Sequence, residues 1–175
     1  MDKPLIKVPI KYGAAAALLV MILFVALYYS GRHPLSIPVF FDVRLLILPL
    51  FMTFAMKEFR DFHNDRVLHF WQGLTIGFIT FTIIGSLVSV FIIILSNIDP
   101  SFLTSYIEER VYLLETNKQQ FIEALNEDII AEQVRTLPLT TSIDLALDYF
   151  LKSVGMGVFL NIIISVILRR QPKLT

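Results

Sequence analysis

At 175 residues the chain has the length of one domain, but 55% of it is hydrophobic, against about 45–50% in soluble domains. Charged residues are only 17% and balance to zero net charge, which gives a nucleic-acid partner no support. The absence of cysteine excludes disulfides, thiol catalysis and cysteine-ligated metals.

A mean hydropathy of +0.69 requires long apolar segments, and a bilayer crossing needs about 20 apolar residues of helix, with a range of about 17–25. Four stretches qualify. The first, 12–29, carries no charge, and the third, 71–95, carries none either. The second, 38–56, has Asp42 and Arg44 near its start and Pro49 inside it. The fourth, 143–168, is interrupted only by Asp144, Asp148 and Lys152 in its first turns. Lys3, Lys7 and Lys11 before the first stretch imitate a signal peptide. That stretch is longer than the usual h-region of about 7–15 residues and lacks a small-x-small end, so an uncleaved span is expected.

Four spans put Lys3, Lys7, Lys11, Lys57, Arg60, Arg66, Arg169, Arg170 and Lys173 on one side and Arg32, Arg110, Lys118 and Arg135 on the other. Basic residues in short connections stay cytoplasmic, which places both termini there. Tyr28 and Tyr29 then mark the outer boundary, and Phe70 and Trp71 the inner one.

Residues 97–142 are expected outside, with eight acids against three bases, a net of minus five. Leu103, Tyr106, Ile107, Val111 and Leu114 recur at helical spacing, and Ser105 with Glu108 has the spacing of a capping box. Thr116 or Asn117 offers a second N-cap, and Phe121, Leu125 and Ile129 form the next apolar stripe. The pattern predicts two amphipathic helices, about 102–115 and 118–136, ending before Pro138. They form either a cap on the bundle or a docking surface for a membrane or periplasmic protein.

Inside the fourth span, Ser153, Gly157, Asn161 and Ser165 fall at strict four-residue spacing on one face. The third span carries Gly73 and Gly77, and the first carries Gly13 and Ala17. Small residues let helix backbones approach closely in lipid, so these positions predict a helix-packing seam. The alternative is a substrate-lining face with Asn161 as its polar contact. Asp148 precedes Lys152 by one turn, the favourable order for a helical pair. With Asp42 and Arg44 at the same end, the four form a candidate intramembrane charge network, or else they snorkel to the interface.

His33, His63 and His69 lie in or beside connections, where interface roles are expected rather than metal ligation. No catalytic, nucleotide-binding or metal-binding motif occurs in the sequence, so a non-enzymatic protein without a cofactor is expected.

The block Lys57-Glu-Phe-Arg-Asp-Phe and the block Phe70-Trp-Gln-Gly-Leu-Thr-Ile-Gly77 resemble a bacterial family catalogued as domain of unknown function 4199. The acidic stretch before the last span and the final span ending in Arg169-Arg170 are similar too. The resemblance covers nearly the whole chain. It implies a small four-span bacterial inner-membrane protein with no established activity, in which Phe70, Gln72, Gly73 and Gly77 set a tight turn into the third span.

The expected fold is therefore all-α, an integral membrane four-helix bundle with an extracytoplasmic helical hairpin between the third and fourth spans. The expected function is that of an accessory or structural subunit acting through protein contacts, with the lipid bilayer as its first partner and a homo-oligomer compatible with the sequence. The alternative is a small transporter or channel component with a polar path near Asn161, Asp148 and Lys152.

Overall fold

The computed structural model describes residues 3–31, 33–37, 42, 44–117 and 126–171. Among these the regular structure is helical: α1 (Lys3–Tyr29), a 3-10 turn (Pro34–Ser36), α2 (Arg44–His63), α3 (Phe70–Ile98), α4 (Pro100–Thr116), α5 (Glu127–Thr136), a second 3-10 turn (Leu137–Leu139) and α6 (Ser142–Leu168).

The segments Pro4–Tyr29, Phe70–Ile98 and Ser142–Leu168 are long and apolar enough to cross a membrane. Only 28–33% of each segment's most apolar stretch is buried within the protein. Leu18 and Ile22 on α1, Phe78 and Val90 on α3, and Phe159 and Val166 on α6 all point outward. Apolar surface on this scale is incompatible with water and suited to lipid. The chain is thus a multi-pass helical membrane protein.

α2 is the exception among the long helices. Its apolar run within the described residues spans 45–56, about 18 Å at 1.5 Å per residue. Lys57, Glu58, Arg60 and Asp61 then occupy its last two turns. The front of the expected second span, residues 38–41 and 43, lies outside the described residues.

α3 is the central element, packing on α1, α2 and α6. Its inward face carries Ile76, Phe81, Ile84, Val88 and Ile92, all fully buried. α1 meets it through Gly13, where a Cβ would stand 3.0 Å from Ile83 and 3.1 Å from the Thr80 carbonyl oxygen.

Two devices, one of side chains and one of backbone, set the end of the bundle where α2 turns into α3. The Gln72 Oε1 accepts the His69 backbone N–H at 3.0 Å and the Asn64 amide at 3.1 Å, which caps α3 and ties it to the turn. Leu68 and Arg170 exchange backbone N–H···O bonds of 2.9 Å in an isolated antiparallel bridge, so the chain beyond α6 is tied to the same turn.

The two shorter helices, α4 and α5, differ from the expectation in their boundaries. α4 starts at Pro100, and its N-cap is Asp99, whose carboxylate accepts the Ser101 N–H at 3.0 Å. Proline is suited to that first position because its missing N–H is not needed there. Ser105 is instead internal and donates back to the Phe102 carbonyl. Asn117 closes α4 rather than opening a new helix, donating to the Leu113 carbonyl. The expected stripe on α4 does turn inward at Tyr106 and Leu114. On α5 it is Ile130, 2% exposed, that packs inward, whereas Ile129 is 46% exposed. Phe121 and Leu125 lie outside the described residues.

Candidate functional site

The face of α6 that carries Ser153, Gly157, Asn161 and Ser165 packs on α3. All four residues are buried. Gly73 lies under Ser165, whose Oγ would be 2.9 Å from a Cβ at position 73. At Gly77 a Cβ would overlap the Asn161 amide. On the reciprocal side, a Cβ at Gly157 would come within 2.6 Å of the Phe81 ring. Three glycines on two helices thus bring the backbones close enough for polar contacts, and the polar side chains use that proximity. Asn161 Nδ2 donates to the Leu74 carbonyl at 2.9 Å, and its Oδ1 accepts from Ser165 Oγ at 3.2 Å. About four turns away, Ser89 of α3 donates to the Ala146 carbonyl of α6 at 3.0 Å. In hydrocarbon an unsatisfied amide is costly, so these bonds both remove a penalty and fix the register of the pair.

The charged candidates are distributed differently. Asp148 and Lys152 form an i,i+4 ion pair of 2.5 Å on α6, with side chains 47% and 57% exposed. Asp42 is half-buried ahead of α2. Arg44 is the first residue of α2, and its side chain lies outside the described residues. Asp144 faces its own helix start: its carboxylate accepts the Thr141 N–H at 2.8 Å while Thr141 Oγ1 accepts the Asp144 N–H at 3.3 Å. This reciprocal pair is a capping box.

An aromatic and polar cluster at the far end of the bundle was not foreseen from sequence. Phe24, Tyr28 and Phe102 pack together with ring centroids 5.2–5.8 Å apart. His33, 4% exposed, lies against Phe102 at 4.5 Å and Tyr106 at 5.3 Å. Its contacts fix its tautomer. Nδ1 accepts the Leu35 N–H at 3.2 Å, so the proton sits on Nε2, 3.0 Å from the Phe102 carbonyl. The His33 N–H in turn donates to Glu109 at 3.2 Å, and Tyr28 donates to Asp99 at 2.8 Å. The loop after α1 is thereby fastened to α4 by both backbone and side chain. His33 is a buried latch, not the interface residue expected of a histidine in a connection. Its proximity to α4 spans 69 positions, and no local pattern carries such a signal.

At the opposite end, Lys11 donates to both oxygens of Glu58 at 2.5–2.6 Å, and Tyr12 donates to the same carboxylate at 2.7 Å. The Lys11 ammonium, aided by the Tyr12 hydroxyl, holds the Glu58 carboxyl below its usual range despite partial burial. Arg60 likewise lowers Asp61, its neighbour in sequence. His63 is exposed beside this group, and His69 caps the start of α3.

The geometry is that of a held bundle with two fastened ends. Among the described residues no group of three or more His, Asp or Glu side chains is placed to hold a metal ion. The family model described as "Protein of unknown function (DUF4199)" matches residues 11–170, and the chain belongs to that family. No curated protein matches the chain, and no solved structure matches it.

Proposed function

We propose that this DUF4199 member is a non-enzymatic, four-span subunit of a bacterial inner membrane that works through contacts with other proteins. The observation that carries the reading is the closed seam between α3 and α6. Its most polar residue, Asn161, is 4% exposed and spends its amide on Leu74 and Ser165. A side chain engaged in this way supports a helix-fixing role over a solute-lining one. The Asp148–Lys152 pair, satisfied internally at the rim of α6, supports the same choice.

Counting α2 as the fourth crossing joins its apolar 45–56 stretch to residues 38–44 and leaves Lys57 to Asp61 among headgroups. Both termini are then cytoplasmic by the positive-inside rule, with Lys7, Lys11, Arg60 and Arg66 on that side. α4 and α5 face outward as an acidic cap, available to a membrane or periplasmic partner with basic residues.

Purification of the tagged chain from its own membranes in mild detergent tests the reading. The expected result is a stoichiometric membrane or periplasmic protein that stays bound to the Asn161→Ala variant. Solute flux or voltage-dependent current from the lone protein in liposomes would overturn it.

A further inference from the structure

A second feature lies away from the seam, where α4 meets the end of α5 and the turn that follows. Arg110, Leu114, Gln133, Thr136, Leu137 and Thr140 line a cavity of about 170 Å³ there. The Arg110 Nε is buried and has no protein acceptor. A guanidinium is charged at every relevant pH and carries five donors in a rigid fork, so burying one of them without an acceptor is unfavourable. Glu109, its neighbour in sequence, accepts the His33 N–H. Thr136 donates to the Glu132 carbonyl, while the side chains of Gln133 and Thr140 make no hydrogen bond among the described residues. The buried Arg110 Nε, the exposed Gln133 amide and the half-buried Thr140 hydroxyl therefore border one cavity.

We propose that this cavity binds a small carboxylate, held by the Arg110 fork with Gln133 and Thr140 as auxiliary donors. The volume suits a ligand of a few heavy atoms, since sites for larger molecules run to about 300–1,000 Å³. The planar fork matches a carboxylate in two parallel bonds. Leu114, 6% exposed, and Leu137 supply an apolar wall for a short alkyl chain, which favours a monocarboxylate over phosphate. The acidic surroundings oppose long-range attraction of anions, but salt screens that field beyond about 8 Å. Selectivity therefore rests on the short bonds inside the cavity.

The test uses the purified full-length protein in detergent micelles, titrated with sodium butyrate, inorganic phosphate or sodium chloride at matched ionic strength. Calorimetry and the thermal midpoint are the readouts. Saturable butyrate binding, absent with chloride, is expected in the parent. Arg110→Gln should weaken it at least tenfold, and Thr140→Leu, which fills the cavity without touching the arginine, should do the same. Arg135→Gln alters the neighbouring cleft formed with Ala131, Glu132 and Leu139 and should leave affinity within twofold. Equal responses to butyrate and chloride, or butyrate affinity that survives Arg110→Gln, overturn the site. Tighter binding of phosphate than of butyrate overturns the carboxylate assignment. The parent titration is decisive even if a variant fails to fold.

Discussion

Position 77 has room for hydrogen and nothing larger, because the Asn161 amide already fills the space a methyl group would need. Overpacking of a close interface costs about 1–3 kcal/mol, so Gly77→Ala should destabilise the bundle by that amount in a reversible unfolding assay in micelles. Asn161→Ala alone loses one interhelical bond, worth about 0.6 kcal/mol in comparable membrane proteins. Because the two residues contest the same space, the double variant should be more stable than the sum of the single effects predicts. Additive losses would show that they do not meet. A second residue-scale expectation concerns Glu58. Its folded pKa is lowered by Lys11 and Tyr12, so the pair's contribution is full above the ordinary glutamate range and fades as pH falls through the lowered value. Lys11 is 58% exposed, so the effect is below about 1 kcal/mol. Stability should decline as pH falls below the ordinary glutamate range, and Glu58→Gln should flatten that slope. The two sites differ in how far the sequence revealed them. Ser153, Gly157, Asn161 and Ser165 announce a common face through four-residue spacing, and Gly73 and Gly77 share that spacing on the partner helix. His33 announces nothing, because its carbonyl acceptor lies 69 positions away in a helix whose packing is set by tertiary contacts.

Helices were legible where lipid imposes one continuous apolar run and less so where side chains choose the ends. α1, α3 and α6 each extend beyond the apolar run, since helix continues into the headgroup region until a cap or turn stops it. The start of α6 illustrates the point: Thr141 and Asp144 satisfy each other's backbone N–H groups one residue ahead of the expected span. Thr141→Ala should cost about 1 kcal/mol, visible as earlier exchange of the first amides of α6 in a hydrogen-exchange experiment. Unchanged exchange there would remove the cap from the account. At α4, Ser105 and Glu108 have capping-box spacing and draw the expected start away from Pro100. Asp99 followed by Pro100 is the stronger start, combining a carboxylate acceptor with a residue whose missing N–H is harmless. α2 is the least legible of the long helices. Its apolar run is short and its charges begin at Lys57, so hydropathy alone separates it poorly from a helix lying partly at the interface.

For the whole molecule, the proposal of four crossings makes one topological commitment. Reporters fused before Met1 and after Thr175 should report the same side, and one inserted after Thr116 the other. Opposite sides for the two ends would reduce the crossings to three, the number of helices among the described residues that satisfy length and apolarity unaided. The architecture also has a temporal consequence. Asn161 reaches a carbonyl 87 positions earlier, and Arg170 pairs with Leu68 in the turn before it. Ribosomes add about 5–20 residues each second, so Gly73 and Gly77 spend on the order of 5–20 s facing lipid before their partner helix exists. During that interval the nascent chain presents a shallow, glycine-floored groove with exposed backbone, attractive to any other small-residue helix nearby. An insertase or chaperone that shelters this groove would raise the yield of folded protein, and a truncation ahead of α6 would leave the groove permanently open.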